Sequence, residues 1–322
     1  MQGTIKKTSQ FFAEVLVLVI FFSIIQYFIT TGILNQYFQI NLTSIFINII
    51  LAVSLNLING FTGQLSLGHA GFMAVGAYAS VIMTQMLNMP FIVGILFACI
   101  VAAFAGFLIG VPTLRLKGDY LAIATLAFGE IIRVVLQNID AVGGPAGIMG
   151  ITQLATWPWV FFATILTVVV IVNIINSSYG RAIISIREDE VAAELMGINT
   201  TKYKVLAFTI GALFAGLAGA LFAHYFYIIK PETFGFLKSF DILVIVVLGG
   251  LGSTTGAIIA AIFVTVLTAA LQSFPAIRMI LYALILIVVM IYRPQGLMGN
   301  KELSLKTFGR IRSVNNGPTR NK

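Results

Sequence analysis

SSYGRAIISIREDEVAAELMGINTTKYK, residues 177–204, is the one long charged segment lying between long apolar runs in this chain. It carries Arg181, Arg187, Lys202 and Lys204 beside Glu188, Asp189, Glu190 and Glu194. Charge that dense is too costly to place in hydrocarbon, so the segment sits in water or against a partner. Ile184, Val191, Leu195 and Ile198 recur at helical spacing, which predicts a short amphipathic helix with the charges largely off its apolar stripe. Gly197, followed by Ile198 and Asn199, reads as a helix stop and turn. A helix with one sticky face and one charged face, held between spans, reads as a docking element. The plainer alternative is a solvated loop.

Composition makes the flanking runs membrane spans. Apolar residues are 59% of the 322, charged residues 9%, and the mean hydropathy is +1.02. Those values lie outside the range of soluble domains and point to a polytopic, all-α membrane protein. At about 20 residues per span the length accommodates roughly eight to ten helices and no sizeable soluble domain. The single cysteine, Cys99, excludes a disulfide framework and a cysteine-based zinc site. The net charge of +8 reports topology here rather than nucleic acid, because the aromatics belong to the spans.

Working outward, the spans fall at about 11–30, 41–59, a glycine-rich run on to 87, 90–110, 120–138, 158–176 and 205–228. Trp157 and Trp159 suit a membrane interface at the start of the sixth. The end is interrupted: 240–248 is too short to cross alone, GGLGSTTG (249–256) breaks it, 257–272 resumes, and 279–292 closes the series after Pro275. Counting the pieces separately gives ten crossings, with both termini on one side. The segments 1–10, 112–118, 177–204 and 293–322 then share the inner side and hold most of the chain's 19 Lys and Arg, as the positive-inside rule requires. The expected organisation is a cytoplasmic N-terminus (1–10), a first membrane half (11–176), a cytoplasmic segment (177–204), a second membrane half (205–292) and a basic cytoplasmic tail (293–322).

Two glycine-rich interruptions stand at matching places in the two halves, around 60–76 and 249–256. Broken segments so placed are the sequence mark of a transport pathway between inverted repeats, the alternative being close helix packing. Candidate path residues are Gln64, Ser66 and His69 in the first, and Gly249, Gly250 and Gly252 in the second. Glu130 and Arg133, three apart in one span, face each other as a structural or gating ion pair. A lone histidine without partners at ligand spacing implies no metal. No Gly-Lys dipeptide occurs, so there is no phosphate-binding loop for ATP, and no G-x-S-x-G elbow for a serine protease. No cofactor is implied.

Taken together, SLNLINGFTGQLSLGHAGFMAVGAY (54–78), RLKGDYLAIATLAFGEIIR (115–133), GRAIISIREDEVAAELMGINTTKYKVLAFTIGALFAGLAGAL (180–221), VVLGGLGSTTGAIIAA (246–261) and YRPQGL (292–297) resemble the membrane permeases of branched-chain amino-acid ABC importers, the LivM type. The resemblance covers about residues 41–300. It implies a type II ABC importer fold of about ten helices, a second related permease, two cytosolic ABC ATPase subunits and an extracytoplasmic binding protein, in the cytoplasmic membrane. ATP hydrolysis then falls to the partners. Residues 187–198 become the coupling helix, with Arg187, Glu188, Asp189, Glu190, Val191, Glu194, Leu195, Gly197 and Ile198 engaging the ATPase. Two rivals stand beside this: a urea or short-chain amide permease of the same fold, and a proton- or sodium-coupled secondary transporter. The second would need acids in several spans, and Glu130 is nearly alone.

Overall fold

The computed structural model describes residues 16, 18–116, 118–272, 284, 287, 291, 292 and 296–298. The chain is helical nearly throughout. After α1 (Leu18–Thr30) come α2 (Gln36–Asn56), α3 (His69–Val81), α4 (Phe91–Thr113), α5 (Asp119–Gln137) and α6 (Trp157–Asn176). Two short helices follow, α7 (Ser178–Glu188) and α8 (Glu190–Leu195), then α9 (Thr200–Phe226), α10 (Phe236–Gly249) and α11 (Thr254–Ala270). Single π turns extend α2 over Leu57–Phe61 and α3 over Ile82–Met86. Among the described residues, four helices are long and apolar enough to cross a membrane: α2 with its π turn, α4, α6 and α9. Most of the expected last span, the break at Pro275 and nearly all of the basic tail lie outside the described residues, as does the N-terminal segment.

The 27-residue α9 is the core of the bundle. Apolar side chains gain nothing from leaving lipid for protein, so helices in membranes associate through close packing of small residues. α9 does this along GALFAGLAGA. A side chain at Gly76 of α3 would run into the backbone of Gly216, and one at Gly219 would strike the carbonyl of Met73. Phe72 and Phe208 meet edge to face at 5.5 Å beside that seam. On the outside, α4 bares Leu96, Ile100, Phe104 and Leu108, a lipid-facing row that in water would be a liability.

The two ends of the bundle differ. At one end, the loop between α5 and α6 pairs with the chain after α9: β1 (Ile148–Met149) lies antiparallel to β2 (Ile228–Ile229). Trp157 at this end is buried, with Phe46 edge-on at 5.0 Å, while Trp159 is exposed. The opposite end holds α7, α8 and both glycine-rich interruptions.

That end also corrects the single amphipathic helix expected over 187–198. Asp189 takes an extended conformation (φ −156°, ψ 111°), so α7 stops at Glu188 and α8 starts at Glu190. Asp189 Oδ1 accepts hydrogen bonds from the backbone of Val191 (2.9 Å) and Ala192 (3.0 Å), a helix N-cap. The local preference of aspartate for capping overrides the longer helical period. Ile184 therefore stays with α7, packed against the core, and shares no stripe with Val191 and Leu195 of α8. Gly197 (φ +83°) ends α8 in the left-handed conformation that a side chain resists, as its place in the sequence suggests.

Candidate functional site: two broken segments and the α7–α8 elbow

The first interruption begins where α2 gives out. After the π turn the chain leaves helical geometry over 62–68 and re-enters it at His69. Backbone groups freed in a membrane need partners inside the protein. Side chains supply several of them. Asn59 clasps Ser66 twice, donating from Nδ2 to the Ser66 carbonyl (3.2 Å) and accepting from the Ser66 N–H (3.1 Å). Thr125 of α5 accepts from Leu67 N–H at 3.0 Å, and Ser239 of α10 from Ala70 N–H at 3.1 Å.

The second interruption is the tight turn 250–253 between α10 and α11. Gly252 holds φ +87°, closed to most side chains. Its N–H donates to Asn56 Oδ1 (2.9 Å), and Asn56 Nδ2 donates to the Ser253 carbonyl (3.0 Å). A Cβ on Gly60 would lie 2.3 Å from the Gly252 nitrogen. The two interruptions, about 190 residues apart in sequence, are in contact. Asn56 is the clamp.

Arg187 closes the arrangement from the end of α7. Its Nη1 donates to the Gly60 carbonyl at 3.2 Å, while Nε and Nη2 donate to Glu188 Oε1 at 3.1 and 2.5 Å. A Cβ on Gly252 would sit 2.6 Å from Nη1, and one on Gly63 would sit 2.9 Å from Arg187 Cγ. The guanidinium is thus wedged against both breaks and faces the bundle.

The elbow turns α8 the other way. Glu190 Oε1 accepts from Lys204 Nζ at 2.6 Å, which fastens α8 to the start of α9. Glu194 Oε1 accepts from Thr200 Oγ1 at 2.8 Å. Only Ala193 of α8 is buried. Val191, Leu195 and Met196 stand 63%, 84% and 82% exposed, with Ile198 half-buried beside them. Three apolar side chains that bare, next to charged neighbours and at an end of the bundle, form a surface suited to a partner rather than to lipid.

The remaining candidates divide. Gln64, Ser66 and His69 are all buried; His69 Nε2 lies 2.9 Å from Ser54 Oγ, and the Gln64 side-chain amide and Ser66 hydroxyl have no hydrogen-bond partner among the described residues. Gly249 and Gly250 sit at the α10–α11 turn, and a side chain at Gly249 would strike the backbone of Gly256. Arg133 Nε and Glu130 Oε2 pair at 2.7 Å, and Glu130 Oε1 accepts the Phe236 N–H at 2.9 Å. That carboxylate therefore holds the start of α10. Sequence reading passed over Asn56, Asn59, Thr125, Ser239 and Met196. The signal for the first two was present: SLNLING puts two amides deep in an apolar run, where only a partner makes them tolerable.

Residues 37–290 match the family described as the branched-chain amino acid transport system / permease component. This chain belongs to that family. Among curated members, the high-affinity branched-chain amino acid transport system permease protein LivM of Salmonella typhimurium is 38% identical over 302 residues, covering 82% of this chain and 71% of the relative. LivM of Escherichia coli is 37% identical, with 81% and 70% covered. The Salmonella typhimurium permease LivH is more distant, at 26% identity over 79% of this chain and 92% of its own length. This permease thus matches both LivM-type and LivH-type members, and more closely the former.

Proposed function

We propose that this chain is the permease subunit of an ATP-driven importer that moves branched-chain amino acids across the cytoplasmic membrane by alternating access. Its full membrane domain comprises about ten helices in two inverted halves, 11–176 and 205–292, in a type II ABC importer fold. The cytoplasmic segment 177–204 lies between them, and the N-terminus (1–10) and basic tail (293–322) are cytoplasmic. The chain hydrolyses no ATP itself. It works with two cytosolic ABC ATPase subunits, a second related permease and an extracytoplasmic amino-acid-binding protein.

One observation carries this reading. A bare apolar α8 is joined through the Asp189 elbow to an arginine that touches both broken segments. A pull on α8 by an ATPase moves α7, and α7 moves the backbone on either side of Arg187. Val191, Leu195, Met196 and Ile198 enter the ATPase groove, with Glu188, Asp189, Glu190 and Glu194 fixing orientation and the turn at Gly197 setting the angle. Gln64, Ser66 and His69, with Gly249, Gly250 and Gly252, belong to the walls of the path, and the Glu130–Arg133 pair holds α10 during the movement. Such rigid-body coupling is how small shifts at one site become large ones at another.

Reconstitution in liposomes with the ATPases and the binding protein tests this. Leucine uptake is expected to require ATP and both partners, and Leu195→Asp is expected to abolish uptake and ATPase co-purification together while the permease remains folded. Leucine uptake by the permease alone would establish a secondary transporter instead.

A further inference from the structure

Beside the paired breaks lies a cavity of about 400 Å³, within the roughly 300–1,000 Å³ of small-molecule sites. Arg187 and Asn59 are its polar side chains, the Gly60 turn forms part of its wall, and Leu65, Leu243, Val247 and Leu251 supply the rest. One cation, one amide and four aliphatic side chains make an unusual lining. Among the described lining residues there is no carboxylate side chain. A purely structural gap between helices would be lined like the rest of the bundle, by small and apolar residues.

The hydrogen bonds already described leave capacity at each polar group. A guanidinium has five N–H donors, and the bonds to Gly60 and Glu188 occupy three of Arg187's, leaving one on each terminal nitrogen. Donors on two neighbouring guanidinium nitrogens can reach both oxygens of a carboxylate, which the single ammonium of a lysine in the same place would not match. The Asn59 amide oxygen and the Gly60 carbonyl each accept one hydrogen bond and keep a second lone pair. These are acceptors for an ammonium group, of the kind that unwound backbone supplies in transporters.

We infer that this cavity is an exit site for an α-amino acid with an apolar side chain. The carboxylate takes the two remaining Arg187 donors, the ammonium faces Asn59 and the Gly60 carbonyl, and the side chain packs on Leu243, Val247 and Leu251. The inference rests on the proposed import of branched-chain amino acids and adds a place and a recognition chemistry to it. It also gives Arg187 a double duty. The residue that anchors the substrate belongs to α7, one residue from the elbow to α8, so the movement that closes the ATPases withdraws the anchor and releases the substrate. Arg187 touches the transported molecule, whereas Gly252, besides its bond to Asn56, leaves room for the guanidinium.

Thiol labelling of the assembled transporter tests the site. Replacing the single cysteine by C99S gives a silent background, into which V247C places a thiol in the cavity and R115C one in the exposed turn between α4 and α5. In liposomes containing the ATPases and binding protein, millimolar leucine is expected to slow maleimide labelling of V247C by about fivefold or more and to leave R115C unchanged. Glycine, lacking the apolar group, is expected to protect far less. Adding R187Q is expected to remove leucine's protection, and R187K to restore only part of it. In parallel, L243F, which fills the cavity, is expected to cut ATP-driven leucine uptake by about tenfold. Labelling of V247C indifferent to leucine, in a transporter that still takes up leucine with ATP, overturns the exit site and leaves the importer reading intact. Absence of ATP-driven leucine uptake in wild type overturns the importer reading whatever the labelling shows. Equal protection in R187Q and wild type overturns the role of Arg187 as anchor.

Discussion

α7 and α8 come from one charged stretch and end up with opposite fates. α7 buries Ala182, Ile183 and Ile186 and sends Arg187 into the bundle. α8, a single residue further on, buries only Ala193 and bares Val191, Leu195 and Met196. Both carry charged side chains, net positive in α7 and net negative in α8, and both carry apolar ones, so neither helix was barred from the bundle by composition alone. The turn at Asp189 did, by pointing successive apolar faces in different directions. An element that belongs to the bundle and an element that awaits a partner can therefore be adjacent in sequence, provided that something stiff joins them.

Substitutions at four positions break or sharpen this contrast. Ile183→Asp places an unpaired charge at a position 1% exposed, a burial that proteins do not tolerate. Detergent-solubilised permease is expected to lose its monodisperse peak in size-exclusion chromatography. Met196→Asp, by contrast, changes a side chain that touches little. Thermal stability is expected to stay within about 0.5 kcal/mol of wild type, as for exposed sites generally, while ATP-driven leucine uptake falls by about tenfold, the equivalent of roughly 1.4 kcal/mol of lost coupling to the ATPase. A Met196→Asp transporter with normal uptake would confine the docking surface to Val191 and Leu195.

The join is probed by smaller changes. Lys204→Met removes the ammonium that fastens Glu190 at 2.6 Å in a largely sheltered pair, for an expected cost of about 1–3 kcal/mol. It is expected to appear as a lower melting temperature and a few-fold loss of uptake at unchanged expression. Asp189→Ala removes the α8 N-cap at about 1 kcal/mol, and Asp189→Asn, which caps equally well, is expected to be close to neutral. If Asp189→Ala cuts uptake more than its effect on melting accounts for, the elbow transmits force and does more than begin a helix.

Much of this was legible in the order of residues. The apolar runs announce helices in a membrane, and α2, α4, α6 and α9 lie close to their expected bounds. The charged stretch and both glycine-rich interruptions could be picked out because each departs from its surroundings: charges among apolar residues, glycines where a span ought to continue. The single helix over 187–198 misled because the period of Val191, Leu195 and Ile198 is real, yet Asp189 within it prefers a cap. His69 drew notice as the most polar side chain of the first break, and the fold buries it against Ser54. Asn56 and Asn59 drew none, although they hold the breaks together.

Hydropathy and charge act residue by residue, so the sequence by itself determined that this chain is helical, that it lives in a membrane, and where its polar interruptions fall. The glycine clusters around 60–68 and 249–256 also needed nothing but their neighbours to be recognised as places where helix is interrupted. Only the tertiary structure decided that those two places touch, that Asn56 joins them, and that Arg187 points inward while Leu195 points out. The physical reason is range. A helix-breaking residue acts on its own turn, but a hydrogen bond between Gly252 and Asn56 spans 196 positions and exists only once α2, α10 and α11 have packed.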